Sequence, residues 1–454
     1  MKIRLKDYLK MLNQLKFYLS LILAQATRLG ITLFSKSSGT SLAGMLVLKF
    51  YPEFLSNCGK YVTEKSITVS GTNGKTTTSG LIAHILEENR KTVIHNVKGA
   101  NMLTGVANVF ALNILPFRRF QYSVIESDEA YLNKLYDYMK SDYLVVTNLF
   151  RDQLDRYGEL TTTAGFIQKA IDKNEDLTLI LNADDPLVAK FGFKRKSVVY
   201  YGFEDVEYDY EVDKSNAPTE VFNCVCGREL NYTKRFFAQQ GHYGCVCGYN
   251  RPICKYKAFA KVFRDFSEIT VSYDGKISTF KTYLVGLYNA YNALAAIAFA
   301  LENGISEGKI QEALNSYKSI FGRTEKKVIS GHETLIQLIK NPTGASEVLK
   351  TVDLNSDIIV AINDNFADGR DISWLWDSDF EQLKGAKKKV VASGLRANDV
   401  ATRLKYAGVP IEKIVIDPNL EHAIKSTAEG IEGDGKLTIL PSYTALLKIN
   451  KMKF

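Results

Sequence analysis

The chain has 454 residues, too many for one ordinary hydrophobic core, so two or three domains are expected. Its composition, 46% hydrophobic and 24% charged, is typical of a globular protein in water. The formal charge is +8, from 58 basic and 50 acidic residues, which for this length does not by itself indicate nucleic-acid binding.

We predict that residues 1–45 form a basic helical segment. Leucines recur at helical spacing, and residues 1–36 carry seven cations against one acid, Asp7. A helix packed on the body and peripheral contact with a membrane surface are both open interpretations. The apolar stretch Phe17–Ala24 is too short to cross a bilayer, and no signal peptide is apparent. We therefore expect a cytoplasmic protein with reduced cysteines, and peripheral contact would place it at the inner face of the membrane.

An alternation of short β-branched runs with helical stretches begins at residue 66 and predicts an α/β fold with a parallel sheet. The first six predicted strands are Ser66–Ser70, Thr92–His95, Tyr122–Glu126, Tyr143–Thr147, Leu177–Leu181 and Val198–Tyr201. The alternation resumes after Gly322-Arg323 with Ile358–Ile362, Lys389–Ser393, Lys413–Ile416 and Lys436–Leu440. We place a middle domain at 46–322, with an insertion at 205–256, and a Rossmann-like C-terminal domain at 323–454.

A phosphate-binding loop is predicted where the first of these strands meets a helix. Its backbone N–H groups would cradle phosphate oxygens, Lys75 would reach the β- and γ-phosphates, and the Thr76 hydroxyl would hold Mg²⁺. The alternative is a glycine turn with an incidental lysine. The loop and the start of the helix read Gly71-Thr72-Asn73-Gly74-Lys75-Thr76-Thr77.

These residues resemble the ATP loop of the Mur ligases and folylpolyglutamate synthases, and further matches follow in chain order. The resemblance implies an ATP-binding middle domain, a magnesium ligand at Glu126, and nucleotide contacts from Asn182, Asp184, Asn289 and Arg323. Its cofactors would be ATP and Mg²⁺, and its chemistry the activation of a carboxylate as an acyl phosphate. The acids Asp128, Glu129 and Asp155 could instead be solvated loop charges.

The departures from that family indicate a different substrate or nucleophile. Only about 65 residues precede the loop, too few for a domain that recognises UDP. Lys340 stands where the family usually has histidine, and Gln153 stands near Asp152 where a metal-binding histidine is expected.

Two cysteine knuckles predict a zinc ribbon within the insertion. Four thiolates in two pairs, each followed by glycine, suit tetrahedral Zn²⁺. Disulfides and free thiols are the alternatives. The predicted ligands are Cys224, Cys226, Cys245 and Cys247.

The stretch from Asn363 to Asp377 contains both tryptophans of the chain and resembles the MurT family, the ligase subunits of lipid II isoglutaminyl synthases of Gram-positive bacteria. The resemblance implies a partner glutaminase of the GatD type and amidation of the α-carboxylate of D-glutamate in lipid II. It also makes Asp371 a catalytic residue that serves the partner, with Asp364 and Asp368 as rivals. All three could instead only shape the loop. A stand-alone ligase that adds an amino acid is the alternative function, and nothing in the pattern favours nucleic acid.

Overall fold

The structure is a computed structural model that describes residues 5–34, 41–97, 100–114, 118–151, 160–210, 221, 223–318 and 323–452. Gly322 and the motif residues Asp152, Gln153 and Asp155 lie outside this range. The described chain forms a nine-stranded sheet, a six-stranded sheet and a two-stranded ribbon.

In its described residues the N-terminal segment is helical, as predicted. Helices α1 (Leu5–Phe34) and α2 (Leu42–Phe50) pack against each other, and two 3₁₀ turns, Pro52–Asn57 and Gly59–Tyr61, lead into the first strand. The α1 ring of Phe17 is fully buried and stacks on Phe54 with ring centroids 5.0 Å apart. One face of α1 is therefore anchored to the body of the protein.

The nine-stranded sheet has the strand order β11-β10-β9-β6-β5-β4-β1-β3-β2. Its strands are β1 (Val62–Ser70), β2 (Val93–His95), β3 (Phe120–Glu126), β4 (Tyr143–Val146), β5 (Thr178–Asn182), β6 (Val198–Tyr208), β9 (Tyr256–Val262), β10 (Ser267–Tyr273) and β11 (Lys276–Thr282). The six predicted strands of this sheet are confirmed as β1 to β6, and they run parallel. The sheet is nevertheless mixed, because β10 pairs antiparallel with both β9 and β11, which the alternation did not predict.

The predicted insertion contributes to two sheets. Its first residues belong to β6, which continues to Tyr208 and pairs with β9. Its centre forms the ribbon of β7 (Asn231–Phe237) and β8 (Gln240–Gly244). In chain order, the ribbon thus lies between β6 and β9 of the large sheet.

Helices cover both faces of the nine-stranded sheet, and the strand side chains alternate between two cores. Val145 packs in one core while Leu144 and Val146 pack in the other, which explains the continuous apolar run of β4. The helices of this region are α3 (Lys75–Glu88), α4 (Leu103–Asn113), α5 (Glu129–Tyr138), α6 (Leu160–Asp172), α7 (Pro186–Ala189), α8 (Leu287–Glu302) and α9 (Glu307–Ser316).

The six-stranded sheet has the order β12-β13-β17-β14-β15-β16, and four of its strands confirm predicted ones. An antiparallel hairpin, β12 with β13, precedes the parallel strands and was not predicted. The strands are β12 (Arg323–Ile329), β13 (His332–Gln337), β14 (Asp357–Ala361), β15 (Val390–Ser393), β16 (Ile414–Asp417) and β17 (Leu437–Pro441). The helices are α10 (Pro342–Leu349), α11 (Ala397–Tyr406), α12 (Leu420–Glu429) and α13 (Tyr443–Ile449).

Candidate active site

The predicted phosphate-binding loop joins β1 to α3, at the carboxyl end of a central strand. Gly71 and Gly74 have positive φ values of 122° and 83°, which favour glycine. Space also requires glycine: a Cβ on Gly74 would lie 1.9 Å from Asn292 Oδ1, and one on Gly71 would lie 2.4 Å from Thr147 Oγ1. The loop therefore has a defined shape, with backbone N–H groups at the start of a helix where an anion binds.

The end of the neighbouring strand β4 holds this loop in place. Thr147 Oγ1 donates a hydrogen bond to the carbonyl of Asn73 at 2.7 Å, and the Asn73 N–H donates to Asn148 Oδ1 at 2.8 Å. The N–H of Thr72 donates to the carbonyl of Asn148 at 2.9 Å. Thr72 Oγ1 donates to the carbonyl of Phe150 at 3.1 Å. Thr72 and Asn73 thus fix the shape of the loop through contacts with β4 and the chain that follows it.

The side chain of Lys75 is buried and lies against an acidic residue. Its Nζ donates to the carbonyl of Gly71 at 2.5 Å and to Glu129 Oε2 at 2.9 Å. Burial opposes the charge, but the carboxylates of Glu129, Asp128 and Glu126 outweigh it and raise the pKa of Lys75. Lys75 is therefore a fixed cation at the loop. Glu129 and Asp128 are both buried, so the interpretation of these two acids as solvated charges is wrong.

Glu126 ends β3 beside this lysine and is almost completely buried, with 1% exposure. Its backbone N–H donates to Asn96 Oδ1 at 2.7 Å, and its Oε1 accepts from Asn101 Nδ2 at 3.2 Å. Its other carboxylate oxygen, Oε2, is buried without a hydrogen-bond partner in the described part of the chain. A buried carboxylate oxygen without a donor fits a hard cation, and the buried Thr76 hydroxyl at the start of α3 supplies a second oxygen of the type that Mg²⁺ binds.

A cavity lies between the phosphate-binding loop and the six-stranded sheet. Asn73, Gly74 and Thr77 contribute one wall, and Gln337, Lys340 and Thr343 contribute the opposite wall. The lining also includes five aromatic and aliphatic side chains: Phe150, Phe237, Tyr288, Leu338 and Val348. A nucleotide suits this cavity, because the polar groups can bind its phosphates and the apolar wall can contact its planar base.

A pair of asparagine side chains links the phosphate-binding loop to the residue that precedes α10. Asn73 Nδ2 donates to Asn341 Oδ1 at 3.3 Å, and Asn341 Nδ2 donates to Asn73 Oδ1 at 3.0 Å. Asn341 Oδ1 also caps α10 by accepting from the N–H of Gly344 at 2.8 Å. This amide pair connects the phosphate-binding loop to the second sheet.

Two of the other predicted nucleotide contacts, Asn182 and Asp184, are not among the residues that line the cavity. Asn182 Nδ2 donates to the carbonyl of Thr147 at 3.1 Å, so it supports the strand end that holds the loop. Asp184 is buried and accepts from Arg251 Nε at 2.6 Å and Tyr291 OH at 2.7 Å. Burial raises the pKa of Asp184 even though Arg251 opposes the shift. No sequence pattern pointed to Arg251, which follows the second cysteine knuckle.

Helix α8 places Asn292, and not the predicted Asn289, in the lining of the cavity. Asn289 Oδ1 accepts from Asn292 Nδ2 at 3.2 Å, and it is Asn292 that lines the cavity. Arg323 begins β12, where its register partner is the cavity residue Gln337; its side chain is outside the described residues.

The acidic loop after β14 lies beside Lys340. Asp371 accepts from the N–H of Ser373 at 2.8 Å and lines a small cavity with Arg151, Lys340 and Trp374. Hydrogen bonds from Ser373 and the cation of Arg151 lower the pKa of Asp371. The two rivals have structural partners, since Asp368 accepts from the N–H of Thr444 at 2.7 Å and Asp364 pairs with Arg396 at 2.6 Å.

The four predicted zinc ligands come together at the base of the ribbon. Their sulfur atoms lie within 4.8 Å of one another, and both the Cys224–Cys247 and the Cys226–Cys245 Sγ distances are 3.6 Å. Such distances exclude disulfides, while four sulfurs around one zinc would lie about 3.8 Å apart. The thiols therefore fit a tetrahedral metal site.

The sheet order, the phosphate-binding loop and the buried Glu126 define the class, a Mur-type ligase. The family model "Mur ligase middle domain" matches residues 69–239, and the model "MurT ligase C-terminal" matches residues 338–446. Among solved structures, a pseudomurein peptide ligase type C from Methanothermus fervidus has the same fold, with a TM-score of 0.66 and 24% identity, over 86% of this chain and 79% of that chain.

Two relatives define the family more narrowly. The lipid II isoglutaminyl synthase (glutamine-hydrolyzing) subunit MurT of Staphylococcus aureus strain COL is 35% identical over 415 residues, 90% of this chain and 91% of that protein. The subunit of the same name from Streptococcus pneumoniae strain R6 is 35% identical over 420 residues, 91% of this chain and 92% of that one. The chain belongs to the MurT family of ligases.

Proposed function

We propose that this chain is the ligase subunit of a glutamine-hydrolysing amidotransferase that converts the D-glutamate of the lipid II stem peptide to D-isoglutamine. It would use ATP and Mg²⁺ to activate the α-carboxylate and ammonia as the nucleophile. The similarity to two MurT subunits over nine tenths of the chain supports this substrate and reaction. The observation that carries the ATP-dependent step is the buried triad at the loop, Lys75 against Glu129 with the unpartnered Oε2 of Glu126.

The chemistry follows from where charge accumulates. A carboxylate oxygen of the substrate attacks the γ-phosphorus of ATP, and the bond from that phosphorus to the β,γ-bridging oxygen breaks, which releases ADP. Both reactants are anions, so the transition state needs fixed positive charge. In this proposal Lys75 leaves Glu129 for the phosphates, while Gly71, Thr72, Asn73, Gly74 and Thr77 surround them. Glu126 and Thr76 would hold Mg²⁺, which would neutralise charge on the phosphate oxygens.

Amide formation completes the reaction. The nitrogen of ammonia attacks the acyl carbon, inorganic phosphate leaves, and the nitrogen loses a proton to solvent. The names of the relatives describe a glutamine-hydrolysing synthase with subunits, which supports a GatD-type glutaminase as the partner that supplies ammonia. Asp371, at an accessible loop of the last domain, is our candidate for a residue that serves this partner.

The remaining assignments belong to the same proposal. Residues 46–322 would form the ATP-binding domain, 205–256 its zinc-ribbon insertion, and 323–454 the partner-binding domain. The ribbon would bind Zn²⁺ through its four cysteines, and Asn182, Asp184 and Asn289 would support the nucleotide from behind the cavity. Contact of residues 1–36 with a membrane stays a prediction.

A reconstitution distinguishes this function from a stand-alone ligase. The chain is purified with and without a GatD-type glutaminase and given lipid II, ATP and either glutamine or ammonium. With glutamine, we expect mass spectrometry to detect the carboxamide only when both subunits are present. With ammonium, this chain alone should form it. Addition of a free amino acid to lipid II without the partner would contradict the proposal.

A further inference from the structure

Helix α1 has a second apolar face that stays largely exposed in the described chain. Phe17, Leu21 and Ala24 on one side are buried against the body. On the other side, seven large apolar side chains recur at intervals of three, four or, once, seven residues over about 37 Å of helix, each between 38% and 67% exposed. They are Tyr8, Met11, Leu15, Tyr18, Ile22, Leu29 and Leu33. We call these seven residues the α1 stripe.

The α1 stripe is wider than the seam of a coiled coil. Residues that flank such a seam usually carry charges that choose the partner. Here one flank consists of Leu12, Leu19 and Ala26, so the apolar face extends beyond a two-residue seam. A second copy of this helix would leave much of that face in water, whereas the apolar layer of a lipid bilayer would cover it.

The net charge of α1 favours an anionic partner. Among residues 7–33 the cations are Lys10, Lys16 and Arg28, and the single acid is Asp7. Long basic side chains can reach from the flank of a helix to lipid head groups, and tyrosines such as Tyr8 and Tyr18 are favoured at that depth. Two copies paired through the stripe would instead bring an excess of cations together.

We infer that α1 docks the protein on an anionic lipid bilayer, with the α1 stripe inserted at the level of the head groups and the opposite face attached to the body. In the described part of the chain no helix has the length and apolar character to cross a membrane, so the contact is peripheral. This inference deepens the proposed function, because a lipid-linked substrate would be met where the helix docks. Both earlier interpretations of the N-terminal helix then apply, one to each face.

Vesicle binding tests the inference with the full chain. The protein is sedimented at low salt with vesicles of phosphatidylglycerol and phosphatidylcholine, and with vesicles of phosphatidylcholine alone. We expect binding to the anionic vesicles that weakens with salt. The double variant Leu15→Asp with Ile22→Asp should bind at least about tenfold more weakly, because two side chains no longer enter the apolar layer.

The matched control places the same two charges elsewhere on α1. Asn13 and Thr32 are exposed and outside the α1 stripe, so Asn13→Asp with Thr32→Asp should retain most of the binding. Equal binding by wild type and the Leu15/Ile22 variant would overturn the inference. The inference would also be overturned if wild type were a dimer and this variant a monomer, or if the variant lost a co-purifying glutaminase. Either result would mean that the α1 stripe binds a protein.

The outcome is separable from that of the proposed function. Leu15 and Ile22 are exposed and far in sequence from the catalytic loop, so amidation of lipid II dissolved in detergent should be unchanged in the variant. Normal vesicle binding without any amidation by wild type would refute the function and leave the docking surface in place.

Discussion

Lys75 is the side chain of the phosphate-binding loop that supplies fixed positive charge in the proposed mechanism. It is a buried cation whose pKa is raised by three carboxylates after burial has opposed the charge. We predict that Lys75→Ala lowers ATP-dependent amidation by at least about a hundredfold, because charge that grows in the transition state loses its fixed partner. Initial rates of ADP release measure this.

The control for Lys75 comes from the strand that leads to the loop. Lys65→Ala removes an exposed cation of β1 and should leave the rate unchanged. A Lys75→Ala rate within threefold of wild type would remove the loop from the mechanism.

We predict that Asp371 takes part in glutamine hydrolysis by the partner glutaminase. A glutaminase needs a nucleophile, a base and usually an acid that orients the base. Asp371→Asn should keep the complex assembled and ATP bound but reduce glutamine hydrolysis by about tenfold or more. Amidation should recover when ammonium replaces glutamine, because the ligase site is intact.

Asp399→Asn, at an exposed aspartate on α11, should leave both activities unchanged. Asp371 and Lys340 line the same small cavity, so Asp371 could belong to this chain's own ligase site instead. A defect that ammonium does not rescue would show this.

We predict that His95, at the end of β2, makes the stability of the protein depend on pH. Burial lowers the pKa of His95 to about 4, below the value of about 6.5 for an unfolded histidine. The unfolded state therefore binds a proton first as pH falls. This contribution to stability is complete above about pH 6.5 and is lost progressively toward pH 4. Between pH 7 and pH 5 the loss is on the order of 2 kcal/mol.

Urea unfolding at both pH values checks this assignment. His95→Gln should reduce the difference in unfolding free energy between pH 7 and pH 5 by that amount. An unchanged difference would mean that His95 is not the group responsible.

At the scale of elements, the ribbon connects the cysteine site to the nucleotide cavity. Phe237 of β7 lines that cavity and lies 5.8 Å from the ring of Phe150, between centroids. Gln239 Nε2, at the turn of the ribbon, donates to the carbonyl of Leu149 at 2.6 Å. Loosening the ribbon should therefore disturb the apolar wall of the ATP site.

We predict about one zinc per chain, bound by the four cysteines. Changing Cys224 and Cys247 to serine should remove the metal, lower the melting temperature and then raise the KM for ATP. Val246→Ser, at an exposed position in the second knuckle, should retain the metal. Metal analysis that finds no zinc in wild type, or full zinc in the double variant, would contradict the site.

At the scale of the whole molecule, the Asn73–Asn341 pair joins the loop to the second sheet. Asn341→Ser should keep the helix cap of α10, since serine caps well, but should not reach Asn73. Losing these bonds, each worth about 1 kcal/mol, should raise the KM for ATP about fivefold or more with little change in melting temperature.

Asn419→Ser is the matched control, because Asn419 caps α12 in the same way without contacting the loop. An unchanged KM in Asn341→Ser would mean that the bridge plays no part in forming the nucleotide site.

The sequence by itself determined the parallel strands, the phosphate-binding loop and the four cysteines. These depend on local periodicity and on glycine and cysteine spacing, which a linear chain displays directly. The resemblance added Glu126, whose proposed magnesium role rests on a strand end and on one oxygen without a partner among the described residues.

Only the tertiary structure decided what lies behind and around these residues. The antiparallel strands β9 to β11 carry no alternation with helices, and Arg251 reaches Asp184 across 67 positions of the chain. The bridge from Asn73 to Asn341 spans 268 positions, and the free face of α1 exists because the body covers the other face. Contacts at such separation depend on how the sheets pack, and packing is a property of the whole chain that no local pattern encodes.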